Sequence, residues 1–254
     1  MDIDFYMEII LFLFQTFSII PFDSLMFKNP VIDISPSPEG IFILQDDRIS
    51  EYTPSSGITR EIPLSRSLPL LKGFFQDPFF FYLYTQNKIY FVKRGDFIDS
   101  LSLGRAEIEK GRVSEGELFL LDSGNNRIIT VYPSRRIGFI GQGRLIEPVD
   151  MEVGPSGEIL VIDRGEGSLT IWDRIGNLKK EVELPSPEVD RIALSTDQSL
   201  YFIAQRQGKI WKREGDGYSC AKIGELQIKR VVSFNKFLLL LIPWHKILVF
   251  RIFD

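Results

Sequence analysis

The chain has 254 residues, of which 44% are hydrophobic and 25% are charged, and its formal net charge is −4. A chain of this length can bury a sizeable core without disulfides or metal ions, and its single cysteine, Cys220, cannot form an internal disulfide. The acidic balance argues against a broad nucleic-acid-binding surface, because such surfaces are usually basic. We therefore expect no nucleic-acid partner.

The N-terminus carries a strongly apolar run. Residues 9–20 are IILFLFQTFSII, which is shorter than the ~20 residues of a spanning helix and typical of the apolar region of a signal peptide. The flanks are acidic where basic residues are expected, although a start at Met7 instead of Met1 would remove two of the three acids. We assign residues 1–22 to a signal-peptide-like segment or membrane anchor, with packing on the domain as the alternative. This predicts an extracytoplasmic (periplasmic or secreted) or membrane-anchored protein, with residues 9–20 as the membrane contact.

The rest of the chain is repetitive. Six segments share an apolar run, a polar turn, an aliphatic residue and a second apolar run, and the aliphatic positions are Ile49, Ile89, Ile128, Leu169, Ile210 and Ile247. Their spacings are 40, 39, 41, 41 and 37 residues. Each segment is typical of a β-hairpin, and each has another short strand candidate upstream and a more polar one downstream. Four strands per unit at this period predict an all-β fold, a propeller of four-stranded blades in one domain over residues 23–254.

Two consecutive units resemble NHL repeats. The resemblance extends over Leu118–Leu184, and the residues at the characteristic positions are Pro148, Gly157, Asp122, Asp163, Asn125, Asn126, Arg127, Ile128 and Gly176. In the fourth unit Ser168 replaces the expected arginine, and the outer units keep the period but lose the Asp and Asn letters. The resemblance implies a six-bladed propeller, in agreement with the six units counted.

The two ends of the chain predict how the ring closes. Only seven residues follow Ile247, too few for the fourth strand of a last blade. The segment Asp23–Lys28 precedes the first unit and has a suitable length. We predict that it supplies the missing outer strand and covers an exposed sheet edge, so that any cleavage falls before about Phe22.

The candidate ligand-binding residues lie in turns between the second and third strands, which reach one mouth of the channel in a propeller. They are Asp122, Asn125, Asn126, Asp163, Glu166, Trp244 and His245. For Asp122 and Asp163 we favour a structural role, as acceptors of backbone hydrogen bonds in their own turns. The basic residues before five of the aliphatic positions (Arg48, Lys88, Arg127, Lys209 and Lys246) could form a cationic ring, but packing along each blade is the preferred interpretation.

No catalytic constellation stands out. The sequence contains no G-x-S-x-G, P-loop or G-x-G-x-x-G motif, and one histidine is too few for most zinc sites. We therefore expect a non-enzymatic binding or scaffold propeller with a protein partner, no catalytic residue and no cofactor. The alternative is a metal-dependent, lactonase-like hydrolase or lyase, with a divalent metal at the channel mouth.

Overall fold

A computed structural model describes residues 18–37, 39–243 and 246–253. Within these residues, twenty-four strands form six antiparallel sheets of four strands each. Blade 1 contains β2 (Asp33–Pro36), β3 (Ile41–Leu44), β4 (Arg48–Thr53) and β5 (Gly57–Pro63), and blade 2 contains β6 (Gly73–Gln76), β7 (Phe81–Tyr84), β8 (Lys88–Lys93) and β9 (Asp96–Ser102). Blade 3 contains β10 (Ile108–Ser114), β11 (Glu117–Asp122), β12 (Arg127–Val131) and β13 (Ile137–Ile140), and blade 4 contains β14 (Pro148–Val153), β15 (Ile159–Asp163), β16 (Ser168–Trp172) and β17 (Leu178–Glu183). Blade 5 contains β18 (Arg191–Leu194), β19 (Leu200–Ala204), β20 (Lys209–Glu214) and β21 (Gly217–Lys222).

Blade 6 joins the two ends of the chain. Its strands are β22 (Arg230–Phe234), β23 (Phe237–Ile242), β24 (Lys246–Phe253) and, on the outside, β1 (Ser18–Met26). The predicted closure by an N-terminal strand is confirmed, although β1 lies several residues earlier than the predicted Asp23–Lys28. It pairs antiparallel with β24 from Ser18 opposite Phe253 to Met26 opposite Lys246, with an irregularity between Pro21 and Asp23. Part of the segment that we assigned to the hydrophobic N-terminus therefore belongs to the propeller.

The six inner strands form a closed ring. Each of β2, β6, β10, β14, β18 and β22 contacts the inner strand of both neighbouring blades, including β22 with β2. This confirms the six-bladed propeller predicted from the repeat. Among the residues that the structure describes, no helix has the length and apolar character needed to cross a bilayer.

The repeated aliphatic residue has a specific place in this ring. The buried core divides into six clusters, each formed by the facing sides of two neighbouring blades. The six residues Ile49, Ile89, Ile128, Leu169, Ile210 and Ile247 are fully buried, and each lies in a different cluster. The period of the sequence is thus the period of the interfaces between blades, because every interface requires one such residue.

The closing strand supplies a direct test of its energetic role. Ile19 is 3% exposed and packs in the cluster between blades 5 and 6, whereas its neighbour Ile20 is 48% exposed. We expect Ile19→Ala to lower the free energy of unfolding by about 3 kcal/mol, because it leaves a cavity in a core. Ile20→Ala should change it by less than about 0.5 kcal/mol. Urea denaturation followed by tryptophan fluorescence measures both, and equal effects would mean that β1 does not close the ring in solution.

Candidate functional site

Asp122 connects its turn to the chain that enters blade 3. Its fully buried carboxylate accepts hydrogen bonds from the backbone N–H of Glu107 (2.7 Å) and from Nδ2 of Asn125 (2.8 Å), and it forms an ion pair with Nε of Arg127 at 2.8 Å. Glu107 lies in the link that precedes β10. The carboxylate of Asp122 is therefore occupied by donors from its own turn, from Arg127 of β12 and from the link that enters the blade.

Asp163 has the same function in blade 4. Its buried carboxylate accepts hydrogen bonds from the backbone N–H groups of Ile146 (2.9 Å) and Glu147 (2.8 Å), in the link that enters β14. As the structural interpretation predicts, both aspartates accept hydrogen bonds from backbone N–H groups. These backbone donors, however, lie in the link that enters the blade and not in the aspartate's own turn. A carboxylate saturated by backbone N–H groups holds two chain segments together.

The other candidate residues of these two turns are more accessible. Asn125 is exposed and donates a hydrogen bond to the backbone oxygen of Arg105 at 3.1 Å. Asn126 has a φ of 50°, a left-handed conformation that asparagine tolerates well. Glu166 is exposed in the corresponding turn of the next blade, and Trp244 and His245 lie outside the described residues.

The recurrent basic side chains lie along their own blades. Arg48 forms ion pairs with the turn residue Asp47 (2.8 Å) and with Glu61 (3.3 Å). The ammonium groups of Lys88 and Lys209 lie over the rings of aromatic residues two positions further along the same strands. These contacts use the charges within the blade.

The axis of the ring carries a set of charged residues that the repeat pattern does not reveal. In every blade, one residue of the inner strand pairs with a residue at or next to the end of the second strand. The six residues at this equivalent position are Asp33, Gly73, Lys110, Asp150, Arg191 and Arg230. Five of the six are ionisable. These six positions precede the recurrent aliphatic residue by 16 to 19 residues, mainly because the turn between the second and third strands varies in length. An alignment of the repeats on their inner strands would have brought the charges into one column.

Arg230 links four blades at this axis. Its guanidinium Nε lies 2.7 Å from Oδ1 of Asp33 in blade 1, and its Nη2 lies 3.0 Å from the hydroxyl of Tyr84 in blade 2. Both the guanidinium, at 3.3 Å, and the Tyr84 hydroxyl, at 3.1 Å, donate to the backbone oxygen of Glu109 in blade 3. Gly73 makes room for this contact, because a Cβ there would overlap Asp33 and the Tyr84 hydroxyl.

Lys110 forms a second buried centre between blades 3 and 4. Its Nζ lies 2.8 Å from Asp150 and 2.9 Å from Glu152. Arg112 binds Glu152 in bidentate fashion, with two distances of 2.7 Å. Asp150 in turn accepts a hydrogen bond from the backbone N–H of Ile192 in blade 5 at 2.9 Å, just as Asp33 accepts one from Phe74 in blade 2 at 3.0 Å.

We call this set of three cations, three carboxylates and one phenol the axial charge network; its members are Asp33, Tyr84, Lys110, Arg112, Asp150, Glu152 and Arg230. Burial alone would raise the pKa of Asp150, but Lys110 and Arg191 lower it more, so the pKa of that carboxyl lies below its usual range. Burial lowers the pKa of Lys110, and the two acids oppose the shift only in part. The network is electrically balanced at neutral pH, since its three acids offset its three bases.

Metal-binding geometry is a separate question. Across residues 18–37, 39–243 and 246–253, no three His, Cys, Asp or Glu side chains converge in a way that could hold a metal ion. The three buried axial carboxylates face cations and backbone N–H groups instead.

Comparison with solved structures identifies propellers. The chain is similar to a catalytically inactive histidine-to-alanine variant of virginiamycin B lyase from Staphylococcus aureus with quinupristin, at 14% identity over 92% of this chain and 99% of that chain, with a TM-score of 0.66. A streptogramin B lyase matches at 14% identity over 92% and 87% of the two chains, with a TM-score of 0.66, and the WD40 propeller domain of Doa1 at 10% over 92% and 97%, with a TM-score of 0.64. At such identities the likeness shows the fold alone.

No protein-family model and no curated protein matches the sequence. The sheets and the similar structures make the chain a six-bladed β-propeller. Because no family model matches, its assignment to the NHL-repeat family stays a prediction.

The axial charge network should make the free energy of unfolding depend on pH. The pKa values of Asp150 and Glu152 are lowered in the folded protein, so these groups contribute stability that is present above their unfolded pKa values, near 4, and is lost as the pH falls through the folded values. Lys110→Met removes the cation that Asp150 and Glu152 share. Burial, which raises the pKa of both carboxyls, is then opposed by fewer positive charges. We expect it to lower the free energy of unfolding at pH 7 by about 3 kcal/mol.

This deficit relative to the wild type should shrink between pH 7 and about pH 4, because protonation relieves the uncompensated carboxylates in the variant. Urea titrations at both pH values measure it. Lys72→Met is the matched control, because it removes a half-exposed ion pair with Glu109 between blades 2 and 3 and should cost less than about 1 kcal/mol. A Lys110→Met deficit that does not change with pH would show that Lys110 does not hold the two acids in their charged state.

Proposed function

We propose that this chain is a non-enzymatic binding or scaffold propeller that recognises a protein partner on its outer surfaces. The observation that carries the proposal is the axial charge network. A general acid or base must be free to exchange a proton with a substrate, and a metal ligand must offer an unshared oxygen to the ion. Asp33, Asp150 and Glu152 each lie against a cation, which favours a structural use of the axis.

The alternative function, a metal-dependent hydrolase or lyase, would place converging carboxylates at the channel. Its support among the known proteins is the streptogramin-type lyases, which share the fold with this chain. WD40 domains share it equally well. The geometry of the axial carboxylates favours the binding function. The turn residues Asn125 and Glu166, and Trp244 and His245 on the sequence pattern alone, stay candidates for partner contact.

A capture experiment separates the two functions. Immobilised wild-type protein is incubated with extract of its source cells, in parallel with a variant carrying Asn125→Ala, Glu166→Ala, Trp244→Ala and His245→Ala. We expect a reproducible protein partner on the wild type, with no lactone or ester hydrolysis in the presence of Mg²⁺, Ca²⁺ or Mn²⁺. Asp122 and Asp163 stay unchanged in this variant because their loss would release the links that they hold.

The opposite result has a clear signature. Turnover of a lactone by the wild type, together with one equivalent of a divalent ion by elemental analysis and loss of both in the fourfold variant, would overturn the binding function. Capture that survives the fourfold variant would instead move the contact surface away from the mouth.

We also propose that the protein acts outside the cytoplasm or at a membrane. The proposal rests on the apolar run at residues 9–20 and on the place where the closing strand begins. Ile19 packs in the core, so removal of a leader segment must leave β1 intact. N-terminal sequencing of protein recovered from its native cells should give a first residue at or before Ser18. A mature chain that begins after Met26 would contradict this placement.

A further inference from the structure

A groove of about 760 Å³ lies between blades 1 and 2, away from the axial charge network. Its floor contains Phe42 of blade 1 and Phe81 of blade 2, whose rings meet edge to face with centroids 5.1 Å apart. Ile62 of β5 also lines it. The floor is therefore the accessible rim of the apolar interface between these two blades.

One end of the groove is formed by a rigid turn with an exposed aromatic residue. The carboxylate of Asp77 accepts hydrogen bonds from the backbone N–H groups of Phe79 (2.7 Å) and Phe80 (2.8 Å), and from the hydroxyl of Tyr82 (2.5 Å). Phe79 nevertheless remains 71% exposed. Because the backbone of this turn is fixed before binding, it loses little conformational entropy on contact, and the exposed ring of Phe79 offers a large apolar surface to a ligand.

Another wall carries cations in a second rigid turn. Lys93 is the last residue of β8, and Arg94 and Gly95 form the turn between β8 and β9. Arg94 has a φ of 55° and Gly95 a φ of 93°, as in the two-residue turns that match the twist of a hairpin. Gly95 contacts blade 1: a Cβ there would overlap the backbone oxygen of Pro63, and its own oxygen accepts a hydrogen bond from the N–H of Ser65 at 3.0 Å. The turn is thus fixed against the neighbouring blade.

The charge of the groove is unbalanced in favour of cations. Arg60, Lys93 and Arg94 are exposed and make no ion pair with the described part of the chain. Of the two acids that line the groove, Asp77 is engaged by its three hydrogen bonds, which leaves Glu51 as the available carboxylate. The ammonium of Lys93 lies over the ring of Phe80, 5.8 Å from its centroid, and forms no ion pair with the described residues. An aromatic anchor beside cations without an acidic partner is complementary to a ligand that combines an apolar side chain with negative charge.

We propose that the groove between blades 1 and 2 binds an extended segment of a protein partner in which an aromatic or large aliphatic side chain is flanked by Asp or Glu. This inference rests on the proposed binding function and names the surface and the partner chemistry. The apolar side chain packs on Phe79, Phe42 and Phe81. The flanking carboxylates pair with Lys93, Arg94 and Arg60.

An extended peptide fits this shape better than an anionic membrane does. The apolar floor lies in a concave groove between two blades, whereas a membrane surface is contacted by apolar side chains that project from the protein. A single strand of peptide can enter such a groove and place alternate side chains on the floor and the rim.

The test selects ligands from a random library, so the natural partner does not have to be identified first. A phage library of random decapeptides is panned on the wild-type propeller, with counter-selection on a Lys93→Glu/Arg94→Glu variant. We expect the enriched peptides to combine Phe, Tyr, Trp or Leu with at least two acidic residues. Fluorescence anisotropy with an enriched peptide should show affinity that falls as salt is raised from about 50 to about 300 mM.

The variants and their controls are matched in this chain. Phe79→Ser and Lys93→Glu/Arg94→Glu should each weaken the selected peptide about tenfold or more, equivalent to about 1.4 kcal/mol. Ile175→Ser is the control for the anchor, because Ile175 is 83% exposed in a turn held in the same way by Asp173. Lys236→Glu, in an exposed turn of blade 6, is the control for charge. Neither control should change the affinity by more than about twofold.

Several results would overturn the proposal. These are a failure to enrich any peptide, enriched peptides without an acidic bias, and binding that Ile175→Ser reduces as much as Phe79→Ser does. Binding to vesicles that contain phosphatidylserine, lost in the same groove variants and without peptide binding, would assign the groove to a membrane instead. The capture experiment on the fourfold mouth variant is independent of these outcomes, so failure of the groove proposal and failure of the binding function remain distinguishable.

Discussion

Each blade of this ring has two apolar faces, and each face is covered only by the neighbouring blade. A sheet with both faces apolar cannot be stable alone, so the free energy of every interface depends on closure of the whole ring. The ring closes through blade 6, which joins the two ends of the chain. On its outside, β1 pairs with β24 and brings Ile19 into the core between blades 5 and 6. At the axis, Arg230 binds Asp33 across the junction between blades 6 and 1.

The axial charge network is better understood as a device for order than as a source of stability. Burial lowers the pKa of Lys110 in spite of two acidic neighbours, whereas the neighbouring cations lower the pKa values of Asp150 and Glu152 in spite of burial. The desolvation of the lysine therefore offsets the gain on the acids, as buried ion pairs commonly show. The arrangement is nevertheless specific. Among the described residues, Lys110 forms ion pairs only with acids of blade 4, and Arg230 only with an acid of blade 1. We infer that a shifted inner strand would leave a charge without its partner, which penalises misassembled rings.

The fold could be predicted from the sequence because the hairpin of each unit has nearly constant spacing. The aliphatic residue and the residue that pairs with it on the second strand are 5 to 7 residues apart in all six blades, as in Leu44 with Ile49 and Leu121 with Ile128. The inner strands are four to seven residues long and follow turns and links of different length. The six axial positions nevertheless recur at spacings of 40, 37, 40, 41 and 39 residues, but acid, base and glycine replace one another among them, so no shared residue type marks them in the sequence. Asp122 and Asp163 attracted attention because they recur, whereas the contacts that hold them, from the links at Glu107, Ile146 and Glu147, depend on the path of the chain in three dimensions.

The groove between blades 1 and 2 is not apparent in the repeat, because its residues come from different parts of their units. Its cations come from β5, from the end of β8 and from the turn that follows β8, and its exposed aromatic residue comes from the turn before β7. These three segments are separated in sequence and occupy different positions within their units. Arg60, Phe79, Lys93 and Arg94 lie outside the six core clusters, so they are free of the constraint that fixes the repeat. In a ring whose axis is filled by paired charges, such exposed positions at the junction of two blades are where a binding specificity can vary while closure remains intact.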